Sequence, residues 1–468
     1  MHKKYKSLLK NTAIFTVGSF GSKVLSFLII PLYTYVLTTS EYGQVDLFST
    51  AISLMIPFST LLIQEALIRY LSSGEIDSCT AVNNSMLVFI FGSVFTILMC
   101  PFYANGLQIK SYVYIYIVIM ILNTYTGIFT QYLRADGKVV CFTISGLIST
   151  VVLLASNVIF LIILKLGIYG YFYSMLLAQV CVAIYITISG KIISQLNFKK
   201  VNMKILIRML KYSIPLVPNS LMWWIMSAGD KYIINYYMGD SANGIFSIAM
   251  KLPMILSMLY NIFMQAWQLS AVEESESSDK TVFYNNVFLA ISFIMIIFTS
   301  IIIIITEPLF KLVMSVSFSE AWKYVPLMCI ATIINCFATF AGTVYIVSKK
   351  SIGAFYTTAI GAIINLVTNF MLIKWLGLQG VAIGTILGYL IVMIIRMYDA
   401  KKILRMNFDI VRLSASLILL FIESILILNI NNVFKYITTL SCLIIIIIFY
   451  KKEIFIIIDL FNKKINVK

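Results

Sequence analysis

The chain has 468 residues, of which 60% are hydrophobic and 12% are charged, and its mean hydropathy is +0.96. This composition excludes a water-soluble globular protein of ordinary type. Apolar runs of about 20 residues, each able to cross a hydrocarbon core about 30 Å thick, recur along the whole chain. The sequence therefore predicts a polytopic helical membrane protein.

The number and spacing of the cysteines and histidines limit which metal sites and disulfides the chain can form. The seven cysteines are scattered without a CxxC pair, and the only histidine is His2. This pattern predicts neither a structural zinc site nor a disulfide framework, and we expect no metal and no cofactor. The predicted segments outside the membrane are at most about 25 residues long, which leaves no room for a soluble catalytic domain, so we expect a protein that is not an enzyme.

Apolar runs between polar breaks predict about 14 transmembrane helices. Their approximate bounds are 12–37, 45–71, 82–103, 112–133, 141–164, 168–190, 212–238, 244–268, 282–306, 325–348, 352–375, 378–398, 410–430 and 432–450. The first run is too long for the apolar core of a signal peptide and is predicted to be a retained span.

The predicted membrane topology explains the net charge of +16. With the N-terminus in the cytoplasm, most lysines and arginines fall on the cytoplasmic side, including the basic segment 191–211 and the tail after residue 450. This is the positive-inside distribution, and it predicts that both termini are cytoplasmic. We therefore expect the lipid bilayer, and no nucleic acid, as the partner of this charge.

The chain also matches itself at an offset of about 201 to 210 residues. "TTSEYGQVDLFS" at 38–49 aligns with "GDSANGIFSIAM" at 239–250, and "LGIYGYFYS" at 166–174 aligns with "LGLQGVAIG" at 376–384. The predicted domains are an N-terminal six-helix half at 1–190, a basic cytoplasmic linker at 191–211, a C-terminal six-helix half at 212–398, and two additional helices with a basic tail at 399–468. Two halves of six helices have the same orientation, and such parallel repeats are typical of transporters.

Two long stretches carry a family resemblance. "NTAIFTVGSFGSKVLSFLIIPLYTYVLTTSEYGQVDLFS" near the N-terminus and "YSIPLVPNSLMWWIMSAGDKYIINYYMGDSANGIFSIAMKLP" in the second half resemble the polysaccharide-export branch of the multidrug/oligosaccharidyl-lipid/polysaccharide (MOP) superfamily, whose fold is MATE-like. The likeness is greatest to Wzx-type repeat-unit flippases. It implies transfer of undecaprenyl-pyrophosphate-linked oligosaccharide, for an O antigen of lipopolysaccharide or for a capsule, across the bacterial cytoplasmic (inner) membrane. It also implies a polymerase and a chain-length regulator as pathway partners.

Lys23 lies near the middle of the first predicted span, in "SFGSKVLSFLIIP". It is about 18 Å by helical rise from the cytoplasmic end, where a lysine costs at least about 2.5 kcal/mol on insertion scales. Ser19 and Ser26 share its helical face. One interpretation is a lysine paired with an acid on a neighbouring helix. The other is a cation in a wet central cavity that attracts a pyrophosphate or an acidic sugar.

Three charges lie at similar depth in the seventh and eighth predicted helices: Asp230, Lys231 and Lys251. Adjacent residues cannot share a helical face, so we expect Asp230 to pair with Lys251 and to leave Lys231 available to the cavity. Alternatively, both lysines reach the outer interface along their apolar stems.

Glu65 and Arg69, four residues apart with the acid first, are predicted to form a structural ion pair, with a cytoplasmic substrate gate as the alternative. Glu423 has no functional interpretation.

The predicted mechanism is alternating access between the two halves around a cationic cavity. No acid lies between Asn11 and Leu37, although cation-coupled drug exporters of the superfamily typically have one in the first helix. This difference favours an anionic cargo. The alternatives are a drug exporter, a flippase of a lipid-linked cell-wall precursor, and a membrane enzyme that polymerises or ligates glycans.

Overall fold

The structure is a computed structural model, and it describes residues 29–106, 110–274, 279–348, 350–430 and 433–451. Every regular element within these ranges is helical. The α-helices are α1 Ile30–Val36, α2 Thr39–Thr60, α3 Ile63–Ser72, α4 Ser78–Leu98, α5 Cys100–Gly106, α6 Val113–Ala135, α7 Val139–Asn157, α8 Gly167–Ser189, α9 Ile192–Gln195, α10 Met203–Ser213, α11 Val217–Ala228, α12 Asp230–Ala249, α13 Lys251–Glu273, α14 Lys280–Val313, α15 Val325–Ala341, α16 Thr343–Val347, α17 Ser351–Leu404, α18 Ile410–Asn429 and α19 Phe434–Phe449. A π-helical turn, Val158–Ile163, extends α7, and short 3₁₀ helices occupy Lys110–Tyr112, Phe198–Lys200, Ile214–Leu216 and Val316–Tyr324.

Eight helices in the described part of the chain are long and apolar enough to cross a membrane, or up to ten if each of two bent pairs is one span. The bent pairs are α2 with α3, at 54°, and Met203–Ala249 with Lys251–Gln268, at 42°. The all-α polytopic membrane fold predicted from the sequence is confirmed. The first predicted span, 12–37, lies outside the described residues except for α1.

Glycines in the left-handed region divide the longest helical stretches. As one straight rod, the 54 residues of α17 would extend about 80 Å, far beyond a hydrocarbon core of about 30 Å. Gly377 interrupts this stretch with a φ of 57°. Beyond the break, a Cβ on Gly380 would lie 2.3 Å from the carbonyl oxygen of Leu372. The two arms therefore pack backbone to backbone, as small residues allow, and they correspond to the predicted spans 352–375 and 378–398.

The same turn occurs where the predicted internal repeat pairs Gly167 with Gly377 and Gly170 with Gly380. Gly167 and Gly377 have φ values of 55° and 57°, respectively. Like Gly380, Gly170 lies close to a carbonyl of the preceding helical segment, since its Cβ would be 3.0 Å from the oxygen of Phe160. A glycine is needed at each position for a physical reason, either the positive φ or the close approach.

The chain forms two compact units, the first ending at Tyr232 and the second beginning at Ile233. The first unit has a core of buried side chains from α3, α4, α6, α8 and α10. Its members include Ile63, Ala66, Leu67, Val82, Met86, Ile128, Phe129, Tyr132, Val182, Ile186, Leu206 and Met209. Helix α10 is therefore fixed to α3 by burial of its apolar face.

The second unit is built around α15 and the 3₁₀ helix before it. In the segment Val316–Val347, which contains both, 83% of the most apolar 18-residue stretch is buried. Trp267 stacks on Phe340 with 4.6 Å between ring centroids, and its indole nitrogen donates to the hydroxyl of Thr343 at 3.1 Å. The predicted domain bounds at 190, 211 and 398 stay predictions.

Candidate functional site

The first unit contains a buried ion pair between Asp46 on α2 and Lys231 on α12. The Nζ of Lys231 lies 2.8 Å from Oδ2 of Asp46 and donates a hydrogen bond to Oδ1 at 3.0 Å. The side chains of Lys231 and Asp46 are only 13% and 10% exposed, respectively. An isolated charge within a membrane span is costly, so each of these residues makes the other tolerable.

Local sequence places Asp46 inside α2 and Lys231 in the first turn of α12. A capping box starts α2: the side chain of Thr38 accepts from the backbone N–H of Glu41, and the Glu41 carboxylate accepts from the backbone N–H of Thr38. Asp46 lies about 12 Å of helical rise beyond Thr38. Lys231 precedes the break at Gly239, where φ is 81°, by about 12 Å of helical rise.

Aromatic side chains lie on α11 and α12 close to Lys231 in the sequence. The indole nitrogen of Trp224 on α11 donates to the hydroxyl of Ser53 at 2.9 Å, which fixes α11 to α2. The Trp224 ring lies 5.8 Å from that of Tyr232. Within the described residues, the buried hydroxyls of Tyr116 and Tyr232 have no hydrogen-bond partner. Buried polar groups are normally satisfied, so these two hydroxyls keep hydrogen-bonding capacity that a polar ligand can use.

The structure corrects one prediction about this site. The sequence predicts that Lys231 is available to the cavity, whereas the structure pairs it with Asp46. Sequence reasoning missed Asp46, although an acid in the interior of an apolar helix is itself a signal of a functional site. Asp230 is buried, with 4% exposure, and begins α12, while Lys251 begins α13. Their mutual pairing stays a prediction.

The prediction of a Glu65–Arg69 ion pair is wrong, because the two side chains form no ion pair in the described part of the chain. Instead, the Arg69 guanidinium lies over the ring of Tyr212, 4.5 Å from its centroid. The physical reason is that α3 begins only after two left-handed residues, Leu61 and Leu62, which puts Glu65 near the N-terminus of the helix. Glu65 falls in the first turn of α3 and is exposed, where the positive end of the helix dipole favours an acid. Lys23 lies outside the described residues.

A second ionic cluster lies in the second unit, and sequence reasoning missed it as well. Glu307 on α14 accepts a hydrogen bond from Lys311 at 2.7 Å and forms an ion pair with Lys435 on α19. Elsewhere on α14, the hydroxyl of Ser300 donates to Glu423 of α18 at 3.0 Å. These contacts attach the last two helices to α14 and give Glu423 a structural role.

The helices and their apolar spans define a multi-pass membrane protein. A family model described as "Polysaccharide biosynthesis protein" matches residues 8–268, more than half of the chain. The chain therefore belongs to this family, and it is a polysaccharide-export-like protein of the MOP superfamily. No curated protein matches the sequence.

Solved transporter structures share the fold. An inward-facing multidrug resistance MATE family transporter of the MOP superfamily has a TM-score of 0.68 and 15% identity, and the match covers 84% of this chain and 95% of that one. The lipid II flippase MurJ in an inward closed conformation has a TM-score of 0.67 and 16% identity, covering 94% and 100%. An outward-facing multidrug resistance MATE family transporter of the MOP superfamily has a TM-score of 0.60 and 14% identity, covering 88% and 96%. These neighbours are transporters and flippases.

Proposed function

We propose that this protein is a flippase that moves undecaprenyl-pyrophosphate-linked oligosaccharide repeat units, for an O antigen or a capsule, from the cytoplasmic to the periplasmic leaflet by alternating access. The observation that carries the proposal is membership of the polysaccharide biosynthesis family. The fold supports it, because one neighbour is described as a flippase of a lipid. The protein would have no enzymatic activity and need no cofactor.

The Asp46–Lys231 pair offers a means of binding and releasing an anionic head group. When the cargo enters, a phosphate oxygen replaces the Asp46 carboxylate as the partner of Lys231, and Asp46 takes up a proton, so that neither group is left with an unpaired buried charge. The unpartnered hydroxyls of Tyr116 and Tyr232 can donate to and accept from sugar hydroxyls. Lys23 belongs to the proposal as a second cation on the path, with Asp230, Lys251, Arg69 and Glu65 as further charges along it.

The membrane placement follows from charge and pathway. We place the protein in the bacterial cytoplasmic membrane with both termini in the cytoplasm, because the basic segments collect on that side. A polymerase and a chain-length regulator of the same pathway would consume the repeat units that it delivers.

The test is complementation of a strain that lacks this protein, with lipid-linked oligosaccharide measured in each leaflet. We expect the deletion to trap undecaprenyl-linked oligosaccharide on the cytoplasmic side. Lys231→Ala should reduce export about tenfold, equivalent to about 1.4 kcal/mol of lost interaction with the cargo. Lys23→Ala should fail where Lys23→Arg succeeds, because only the charge is required.

The matched control is Lys323→Ala, which removes a lysine from the exposed Glu320–Lys323 ion pair and should leave export unchanged. All variants are compared at equal membrane abundance. Normal export in the deletion strain would contradict the flippase assignment. Normal export by Lys231→Ala and Lys23→Ala would contradict only the assignment of these cations.

A flippase of a lipid-linked cell-wall precursor is the second candidate. It is favoured by the likeness to MurJ, which is described as a lipid II flippase and is covered over its whole length. The same experiment separates the two, since a cell-wall flippase would trap peptidoglycan precursor instead of the repeat unit. A drug exporter would trap neither lipid.

A further inference from the structure

A basic cleft lies in the first unit, and its lining includes neither Asp46 nor Lys231. It has a volume of about 450 Å³ and is lined by Tyr70, Lys204, Ile207, Arg208, Lys211 and Tyr212. Three of these six residues carry a positive charge, and their side chains belong to successive turns of α10. A cleft of this volume is within the range of small-ligand sites.

One cation of the cleft, Arg208, lies against a ring of the lining, and Arg69, outside the lining, lies against another. The guanidinium of Arg208 lies 4.7 Å from the ring centroid of Tyr70, and Arg69 lies 4.5 Å from that of Tyr212. Arg208 also forms an ion pair with Glu75, and both side chains are substantially exposed. A guanidinium has five N–H donors, so Arg208 can keep its ion pair with Glu75 and still donate to a phosphate.

The position of α10 is fixed by the linker before it. Asn83 on α4 accepts from the backbone N–H of Asn197 at 2.7 Å and donates to the carbonyl of Gln195 at 3.0 Å. The neighbouring Asn84 accepts from the backbone N–H of Asn202 at 3.2 Å, and Asn202 caps α10. Both Asn83 and Asn84 are fully buried. The cleft is therefore a built feature of the unit and not a chance arrangement of surface lysines.

The pattern of α10 is that of a helix at a membrane interface. Leu206 and Met209 are buried in the core, whereas Met203 and Ile207 expose 57% and 49% of their surface. Exposed apolar side chains next to a row of lysines and arginines are typical of helices that bind anionic lipid. The positive-inside rule predicts that this segment faces the cytoplasm.

We propose that this cleft binds the phosphate group of a membrane-anchored lipid in the cytoplasmic leaflet. Lys204, Arg208 and Lys211 contact the phosphate oxygens, and the exposed apolar side chains of α10 contact the acyl or polyprenyl chain. The phosphate belongs either to a resident anionic phospholipid or to a polyprenyl pyrophosphate, since both present the same chemistry.

The experiment is lipid retention by the purified full-length protein, measured by native mass spectrometry. Separate samples receive phosphatidylglycerol, undecaprenyl pyrophosphate or phosphatidylcholine. The test variant combines Lys204→Gln, Arg208→Gln and Lys211→Gln. The matched control combines Lys191→Gln, Lys199→Gln and Lys200→Gln, which remove the same charge from exposed positions of the same linker outside the cleft.

We expect the test variant to retain at least about fivefold less of one anionic lipid than the wild type, a loss of about 1 kcal/mol. The control should change retention less than about twofold, and a Lys204→Arg, Lys211→Arg variant should bind as the wild type does, because arginine keeps the charge. The anionic lipid that is lost identifies the source of the phosphate. Equal losses in the test variant and the control, or equal retention of phosphatidylcholine and the anionic lipids, would overturn the proposal.

Because lipid binding is measured without transport, this result is independent of the flippase assignment. A cleft that binds lipid in a protein that exports no repeat unit would leave the cleft proposal intact. Thermal unfolding of each variant checks that the loss is not a loss of folded protein, and a small effect is expected because Lys204, Arg208 and Lys211 are exposed.

Discussion

Two buried acid–lysine pairs in this protein have similar chemistry but different surroundings. Lys231 of the first pair precedes Tyr232, whose buried hydroxyl, like that of Tyr116, has no hydrogen-bond partner among the described residues. Glu307, in contrast, is held by both Lys311 and Lys435. The first pair has neighbours that can bind another group, whereas the second is saturated by its own lysines. We therefore expect the first pair, and not the second, to exchange its partner for a ligand.

The largest expected effect is on the stability of the saturated cluster. Glu307→Gln leaves Lys435 buried, with 11% exposure of its side chain, and without a carboxylate. Removal of one partner of a buried pair costs about 3–5 kcal/mol, so we expect a marked fall in the Tm of the purified protein. Glu320→Gln, in the exposed pair with Lys323, should cost less than about 1 kcal/mol. An equal fall in Tm for both variants would remove the distinction between a saturated buried cluster and a surface pair.

A charge swap separates stability from transport at the other pair. Asp46→Lys combined with Lys231→Asp keeps one acid and one lysine within contact distance, so we expect most of the Tm lost in Lys231→Ala to return. Export should remain about tenfold below the wild type, because the cation now projects from α2 and no longer from α12. Full recovery of export by the swapped protein would show that this pair, like Glu307–Lys435, only holds helices together.

The smallest expected effect is at Glu423. Glu423→Leu removes one hydrogen bond, from Ser300, and should lower stability by about 1 kcal/mol without changing export. Ser300→Ala should cost a similar amount, and the double variant should cost less than the two single variants together, because both remove the same contact. A loss of export in Glu423→Leu at normal Tm would move this carboxyl from the structural group into the functional one.

Much of the fold was predictable because it depends on local pattern. Apolar runs indicated the spans, and glycines such as Gly377 marked the turns, where φ is 57°. Membership of the MOP superfamily was also visible in the stretches around residues 11–49 and 212–253, and the family match confirms it. Hydrophobic periodicity and backbone restrictions are properties of neighbouring residues, so one chain is enough to show them.

The partners of the charges were less predictable. Helical spacing suggested Glu65 for Arg69, but the guanidinium lies over Tyr212, which is far away in the sequence. Lys231 finds its acid 185 residues earlier, at Asp46. The sequence alone determined that this is a helical membrane protein with costly charges inside its spans, because hydropathy and helical rise are local. Only the tertiary structure decided which charges meet, because helical periodicity gives the face of a helix and not the identity of the helix that packs against it.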